Sequence, residues 1–173
     1  CGIQSLKDWI KQGGRRIRPL NLFKVSPNNL LPVGEVSESF EALEIPRSHQ
    51  LAFTATQEAM TASQTPPDAV IVGVTTGGIL TTEMHLKNHV SDPAAFAYHG
   101  AGSVAEYIAE KSHCKGPAIT ISNACSSGTA AIKIALEMLR SGRLSVAEAA
   151  AMILLVSDEN QPGEATVDIL GGG

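Results

Sequence analysis

Four stretches of the chain are apolar and rich in β-branched or other aliphatic residues. They read "AVIVGV" at 69–74, "AITIS" at 118–122, "AAAMILLVS" at 149–157 and "ATVDIL" at 165–170. Short apolar runs bounded by turn residues are typical of strands buried on both faces, as in a parallel sheet. The pattern therefore predicts a strand at each of these four positions.

Apolar residues at helical spacing occupy the segments between and before these runs. The predicted helices read "SLKDWIKQGG", "RSHQLAFTATQEAM", "LTTEMHLKNHV" and "GSVAEYIAEKSHC", and a fifth extends from about Thr129 to Arg140. The packed face of the second helix is expected to hold its apolar residues, Leu51, Phe53, Ala55, Ala59 and Met60. Strands that alternate with helices predict an α/β fold, with a parallel or mixed sheet and helices on both faces.

The fifth predicted helix is apolar around most of its circumference. Its polar residues, Lys133, Glu137 and Arg140, form only a narrow stripe. A helix that is apolar nearly all round is normally buried. We therefore expect this helix to lie between two layers of the fold.

Composition and charge narrow the class of protein. The chain has 173 residues, enough for one domain with a core, and because only 4% are aromatic the core is expected to be aliphatic and rich in alanine. With a net charge of −4, the chain lacks the excess of basic residues typical of proteins that bind nucleic acid or an anionic membrane. No apolar run reaches the ~18–20 residues that span a bilayer. We expect neither nucleic acid nor membrane as a partner.

The cysteines indicate a reducing environment. Cys1, Cys114 and Cys125 are an odd number, without the spacing of a disulfide framework. Free thiols of this kind are usual in cytosolic proteins. The sequence therefore predicts reduced cysteines and a cytoplasmic location.

Cys125 lies between the strand at 118–122 and the fifth helix, and two interpretations of it are open. Free cysteine is often just a small buried hydrophobe. A thiol at the N-terminus of a helix, however, lies beside unpaired N–H groups that favour the thiolate and can stabilise an oxyanion during acyl transfer. The small residues Ser126, Ser127 and Gly128 would let an acyl chain approach closely.

The segment around Cys125 resembles the active-site turn of the β-ketoacyl synthases, the condensing enzymes of fatty-acid and polyketide synthesis. "SNACSSGTAAI" carries the motif, a cysteine in a small-residue turn between a strand and an Ala-rich helix. Other segments resemble, in order, the first half of that family: "VGEV", "IPRSHQLAFTATQEAM", "AVIVGVTTGGILTTEMHL", "YHGAGSVAEYIAEKSHCKGPAITIS", "AEAAAMILLVS" and "ATVDILGGG".

The resemblance implies a thiolase-like fold, which is an αβαβα sandwich of two similar halves when complete, and a homodimer. It implies that Cys125 accepts an acyl group from acyl-carrier protein or coenzyme A, with its backbone N–H as an oxyanion donor. A malonyl thioester would then lose carbon dioxide and attack the acyl group in a Claisen condensation. Thr76 and Gly77, in a turn beside the acyl pocket or dimer seam, would contact substrate together with Ser126, Ser127 and Gly128. No cofactor and no metal are expected.

Departures from the family pattern concern the extent of the domain. No histidine of the chain stands in the family's catalytic motifs, which belong to its second half, and Arg143 runs into Leu144 where the family has a strand and a long loop. We expect residues 1–173 to be an incomplete N-terminal ketosynthase domain. The first strand, a segment near 143–146 and the C-terminal half would be missing, and the chain would be interrupted between about Arg143 and Val146.

Other functions fit the sequence less well. A cysteine hydrolase elbow needs glycine at the positions of Asn123 and Ser127. His85 and His89 have the i,i+4 spacing of metal ligands, but a solvated helix face explains them better. "GVTTGG" lacks the lysine of a phosphate loop, so a tight turn is expected there. A non-catalytic ketosynthase-like subunit, and a thiolase or initiating synthase that uses coenzyme A, remain the alternatives.

Overall fold

The computed structural model describes residues 3–13, 17–20, 31–34, 36, 39–40, 44–61 and 65–144. Its helices are α1 (Ile3–Lys11), α2 (Arg47–Met60), α3 (Ile79–Lys87), α4 (Ser103–Lys111) and α5 (Ser127–Arg140). Its strands are β1 (Arg18–Pro19), β2 (Pro32–Val33), β3 (Val70–Gly73) and β4 (Ala118–Ile121). Two 3-10 turns, Pro93–Phe96 and Ala124–Ser126, precede α4 and α5. All five predicted helices are therefore confirmed, and so are the first two of the four strands.

The strands β3 and β4 form the parallel pair at the centre of the described chain. Their register runs from Val70 opposite Ala118 to Gly73 opposite Ile121. The connection between them contains α3, the first 3-10 turn and α4, as a parallel crossover requires. The strands β1 and β2 pair separately and antiparallel.

Helices cover both faces of the parallel pair. On one face, alternate residues of β3, namely Val70, Val72 and Val74 just beyond it, are buried in a cluster with residues of α4 and with Ala52 of α2. The other face, with Ile71 and Gly73, packs against α5. The α/β prediction with helices on both faces is confirmed.

The core cluster is aliphatic and rich in small residues. It consists of valine, alanine and one isoleucine, listed as Ala52, Val70, Val72, Val74, Val104, Ala105, Ile108 and Ala109. Full burial of a valine or isoleucine side chain contributes about 1.5–3 kcal/mol. The expected alanine-rich core is thus present, and it allows α2 and α4 to approach closely.

The buried face of α2 differs from the predicted one. Its buried residues are His49, Ala52 and Thr56, whereas the expected apolar residues, Leu51, Phe53, Ala55, Ala59 and Met60, are only half-buried. Burial of the two polar residues is possible because each has a partner: Thr56 Oγ1 donates to the Ala52 carbonyl at 2.8 Å, and His49 bonds to Ser103. A stripe that mixes small and polar residues carries little hydrophobic periodicity, so the sequence did not reveal it.

Helix α5 is buried on one side only. Ser127 and Ala131 are buried, while Ile132 and Leu136 are 41% and 42% exposed. The predicted burial on all sides is therefore wrong for the described chain, because the described elements that pack broadly on α5 are β3, β4 and the adjoining turn. The polar stripe lies in solvent, where Lys133 and Glu137 form an ion pair at 3.8 Å.

Several predictions fall outside the described residues. The last described residue is Leu144. The strands expected at 149–157 and 165–170 therefore lie outside the described residues, as does the interruption expected near 143–146. The extent of the domain stays a prediction. Among the described helices, none has the length and apolar character needed to cross a membrane.

Candidate functional site

Two turns leave the same edge of the parallel pair. The β3–α3 turn (Val74–Gly78) follows β3, and the β4–α5 turn (Ser122–Ser126) follows β4. The N–H of Val74 donates to the Ile121 carbonyl at 3.0 Å, which holds the beginnings of the two turns side by side. The loop that enters α4 lies at the same end, where the backbone of Ala101 is close to Gly77. Carboxyl edges of parallel strands are the usual place for ligand sites in open α/β folds.

Cys125 occupies the middle of the 3-10 turn Ala124–Ser126, two residues before α5 begins. The strand, turn and helix predicted around it are confirmed. Its thiol is free and exposed, whereas the other described cysteine, Cys114, is half-buried against the core cluster. Exposure at the start of a helix is compatible with the nucleophile interpretation of Cys125, whose role stays a prediction.

The β4–α5 turn is held by hydrogen bonds from its own side chains. Ser127 Oγ accepts a bond from the Asn123 N–H at 2.7 Å and donates to the Ala124 carbonyl at 2.8 Å. Ser126 Oγ donates to the Asn123 carbonyl at 2.9 Å and accepts from Asn123 Nδ2 at 2.8 Å. Ala124 has a φ of +46°, in the left-handed region that residues with a Cβ rarely adopt. These bonds bridge the backbone on either side of Cys125.

Gly73 brings β3 unusually close to the start of α5. A Cβ atom on Gly73 would lie 2.5 Å from the carbonyl carbon of Ser127 and 2.6 Å from the nitrogen of Gly128. Both of these are backbone atoms and cannot move aside without shifting the helix. Glycine at this position is therefore a requirement of the packing between β3 and the Cys125 turn.

The predicted substrate-binding residues lie along this edge in different settings. Ser126 is exposed beside Cys125, and Gly128 is half-buried in the first turn of α5. Ser127 is buried, with its hydroxyl directed into the turn. Thr76 is half-buried and Gly77 is buried in the β3–α3 turn. A substrate contact for each of them stays a prediction.

The β3–α3 turn is a tight strand-to-helix connection, as expected for "GVTTGG". Gly77 has a φ of +59°, and a Cβ there would lie 2.9 Å from the backbone of Ala101. Ser48 of α2 donates a hydrogen bond to the Gly77 carbonyl at 2.8 Å. This turn is therefore clamped between α2 and the loop that enters α4.

A buried polar group that the sequence did not single out lies next to this clamp. His49 is fully buried, with its Nε2 2.9 Å from Ser103 Oγ, and its ring meets Tyr98 and Tyr107 edge-on at 5.0 and 5.6 Å. Desolvation lowers the pKa of His49 to about 4, against the opposing effect of a hydrogen bond with the Ser103 backbone. Because one histidine in an amphipathic helix is usually on the surface, only the fold identifies this one as a core residue.

The remaining histidines of the described chain contact neighbouring side chains or lie just after the end of a helix. The ring of His85 stands edge-on to Phe96 at 5.6 Å, and His99 Nδ1 lies 3.1 Å from Thr82 Oγ1. His89 and His113 have φ values of +55° and +57°, just beyond the last residues of α3 and α4. Within the described residues, no three histidine, cysteine, aspartate or glutamate side chains cluster as a metal site would require.

The sequence also matches a known protein family. Residues 29–163 match the family described as β-ketoacyl synthase, N-terminal domain. Over 97 residues the chain is 31% identical to the reducing polyketide synthase grgA of Penicillium sp., a match that covers 54% of this chain and 4% of that protein.

A solved structure shares the fold. The ishigamide ketosynthase/chain length factor superposes with a TM-score of 0.68 over 83% of this chain and 41% of its own, at 22% identity. At that identity the likeness shows the fold alone. The chain thus spans less than half the length of either relative.

Proposed function

The chain belongs to the β-ketoacyl synthase family, and on this premise we propose that Cys125 is the acyl-accepting nucleophile of a condensing domain. The observation that carries the proposal is the setting of the thiol. Cys125 is free and exposed in a strand–turn–helix connection at the carboxyl edge of a parallel pair. A thiol at that position can meet a substrate from solvent while it lies beside the N-terminus of α5.

The first chemical stage is acyl transfer to Cys125. The deprotonated sulfur attacks the carbonyl carbon of an acyl thioester, and the oxyanion that forms accepts a hydrogen bond from the Cys125 backbone N–H. The bond between that carbon and the carrier sulfur then breaks. A new thioester on Cys125 results, and the released carrier thiolate takes up the proton that Cys125 gave up.

The second stage is condensation with a malonyl thioester, which needs groups that stabilise the carbanion after loss of carbon dioxide. The resemblance assigns this task to two histidines of the family's second half. In the described chain, His49 is buried with Ser103, and His85 and His99 pair with Phe96 and Thr82. We therefore assign nucleophile and one oxyanion donor to this chain, and decarboxylation to residues of the family's second half.

The substrate class follows from the family and from its relatives. We propose a growing acyl chain delivered by acyl-carrier protein, with coenzyme A thioesters as the alternative donor, in polyketide or fatty-acid synthesis. The similarity to a reducing polyketide synthase favours the polyketide route. A homodimer in the cytoplasm is part of the same proposal.

Acyl loading tests the proposal directly. The intact protein that carries this chain is incubated with acyl-carrier protein bearing a radiolabelled acyl group, or with labelled acyl-coenzyme A, and the label is located by mass spectrometry. We expect label on Cys125 and, in parallel samples, faster iodoacetamide alkylation of Cys125 than of Cys114. The C114S variant serves as the matched control and should load normally.

The opposite outcome has a defined meaning. If Cys125 accepts no acyl group from either donor in the folded protein, the nucleophile assignment is wrong and the non-catalytic subunit becomes the better description. Loading from coenzyme A but not from the carrier protein would instead support a thiolase or an initiating synthase.

A further inference from the structure

The turn that carries Cys125 contains a strained residue. Ala124 adopts a φ of +46°, a conformation that costs a residue with a Cβ about 1–2 kcal/mol. Such a conformation persists only where the surroundings hold it in place. The residue directly before the nucleophile is thus kept out of its preferred conformation by something else in the fold.

The hydroxyl of Ser127 is the group best placed to do this. It accepts from the N–H of Asn123 and donates to the carbonyl of Ala124, so it joins atoms on opposite sides of the Ala124 φ torsion. Ser127 is only 4% exposed, so water competes poorly for these two bonds. The bonds of Ser126, by contrast, involve an exposed hydroxyl.

The backbone of Ser127 is itself held by β3. Its carbonyl carbon lies where a Cβ on Gly73 would be only 2.5 Å away, so strand and helix are in direct backbone contact there. A chain that is fixed at Gly73 fixes Ser127, and Ser127 then fixes Ala124. This continuous series of contacts runs from the central strand to the residue beside Cys125.

We propose that Ser127 is a positioning residue that locks Ala124 in its strained conformation and thereby presents Cys125 to the acyl donor, an inference that rests on the proposed function. Without the two hydrogen bonds, Ala124 relaxes toward negative φ. The Cys125 side chain then rotates away from the N-terminus of α5. The thiol then loses its approach direction and its place beside the N–H groups at the start of α5.

The test compares Ser127→Ala with Ser112→Ala in the intact protein. Ser112, the residue directly after α4, is a matched control because it is also 4% exposed and its hydroxyl donates to the Ala109 carbonyl of α4. The first readout is the alkylation rate of Cys125 by iodoacetamide between pH 6 and 10, which uses no acyl pocket. The second readout is the rate of acyl loading, and circular dichroism confirms that each variant is folded.

We expect S127A to slow alkylation and acyl loading by about 10- to 100-fold, as the misplacement of a reacting group does. S112A should retain the wild-type rates. Adding Ala124→Gly to S127A should restore most of the reactivity, because glycine adopts positive φ without strain. A role in fold stability alone would not be corrected in this way.

The proposal is overturned if folded S127A has the wild-type alkylation profile. It is also overturned if the double variant A124G/S127A folds and stays as unreactive as S127A. If S127A does not fold, the alkylation rate of the double variant is compared with that of the wild type. A double variant that folds but stays unreactive then overturns the proposal. Failure of the wild type to load acyl groups would contradict the proposed function instead, and the alkylation profiles would still test the lock.

Discussion

The two turns at the carboxyl edge of the parallel pair make the same strand-to-helix connection by different means. The β3–α3 turn places glycine, Gly77, at its left-handed position and is buried between α2 and the α4 entry loop. The β4–α5 turn places alanine, Ala124, at its left-handed position and leaves Cys125 exposed. Gly77 adopts its positive φ without strain, whereas Ala124 is strained and, in our proposal, is held by Ser127. The difference supports the proposal that the β4–α5 turn presents a reactive group.

Replacement of the Cys125 thiol should give the largest functional difference between the two turns. Cys125→Ser is expected to abolish acyl loading, because a serine hydroxyl is a much weaker nucleophile than a thiol unless a base activates it. The melting temperature should stay close to that of the wild type, since the side chain is exposed. Radiolabel transfer and thermal denaturation measure the two effects, and label on the serine variant would contradict the assignment.

The buried imidazole of His49, next to the β3–α3 turn, should make the free energy of unfolding depend on pH. The pKa of His49 is about 4 in the folded chain and 6.5 in the unfolded one, so the unfolded state binds more protons between these values. The free energy of unfolding should fall as pH drops from 6.5 to about 4, by about 3 kcal/mol in total, and then level off. Among the described residues, Ser48, Tyr98, Ser103 and Tyr107 contact His49, and none of these four is a carboxylate.

Urea denaturation at several pH values measures this effect. His49→Gln should remove this part of the pH dependence, while the same change at exposed His99 should leave it in place. An unfolding free energy that is flat between pH 6.5 and 4 in the wild type would contradict a neutral, buried His49.

Gly77→Ala tests the packing role of the β3–α3 turn. The new Cβ would lie 2.9 Å from the Ala101 backbone at a φ of +59°, so both steric overlap and backbone strain oppose it. We expect a loss of about 2 kcal/mol in unfolding free energy. Cys125 alkylation in the fraction that remains folded should change little. A variant as stable as the wild type would show that the turn has more room than its contacts indicate.

Ala124→Gly, the reverse exchange in the β4–α5 turn, should have the smallest effect. Loss of the Cβ relieves strain, while the added freedom of glycine in the unfolded chain costs about 0.5–1 kcal/mol. The unfolding free energy should therefore stay within about 1 kcal/mol of the wild type. A larger loss, seen in the same denaturation assay, would mean that the Ala124 methyl group makes a packing contact of its own.

Local sequence patterns predicted most of the elements on which the site is built. The β-branched runs located β3 and β4, and the small residues between β4 and α5 located the turn of Cys125. The prediction was wrong for the buried face of α2 and for the full burial of α5. In α2, polar residues with buried partners replace part of the apolar face, and helical periodicity does not show this. In α5, the described elements pack on one side only, and periodicity does not show how many elements surround a helix.

The sequence by itself determined the alternation of strands and helices, the aliphatic core and the position of a thiol before a helix. These features depend on side-chain volume, β-branching and spacing, which act over a few neighbouring residues. Only the tertiary structure decided that His49 is buried against Ser103, 54 residues later, and that Gly73 supports the backbone of Ser127. It also decided the left-handed φ of Ala124. Such features arise from contacts between distant segments, because a buried polar group or a strained residue is tolerated only where the assembled fold supplies its partners.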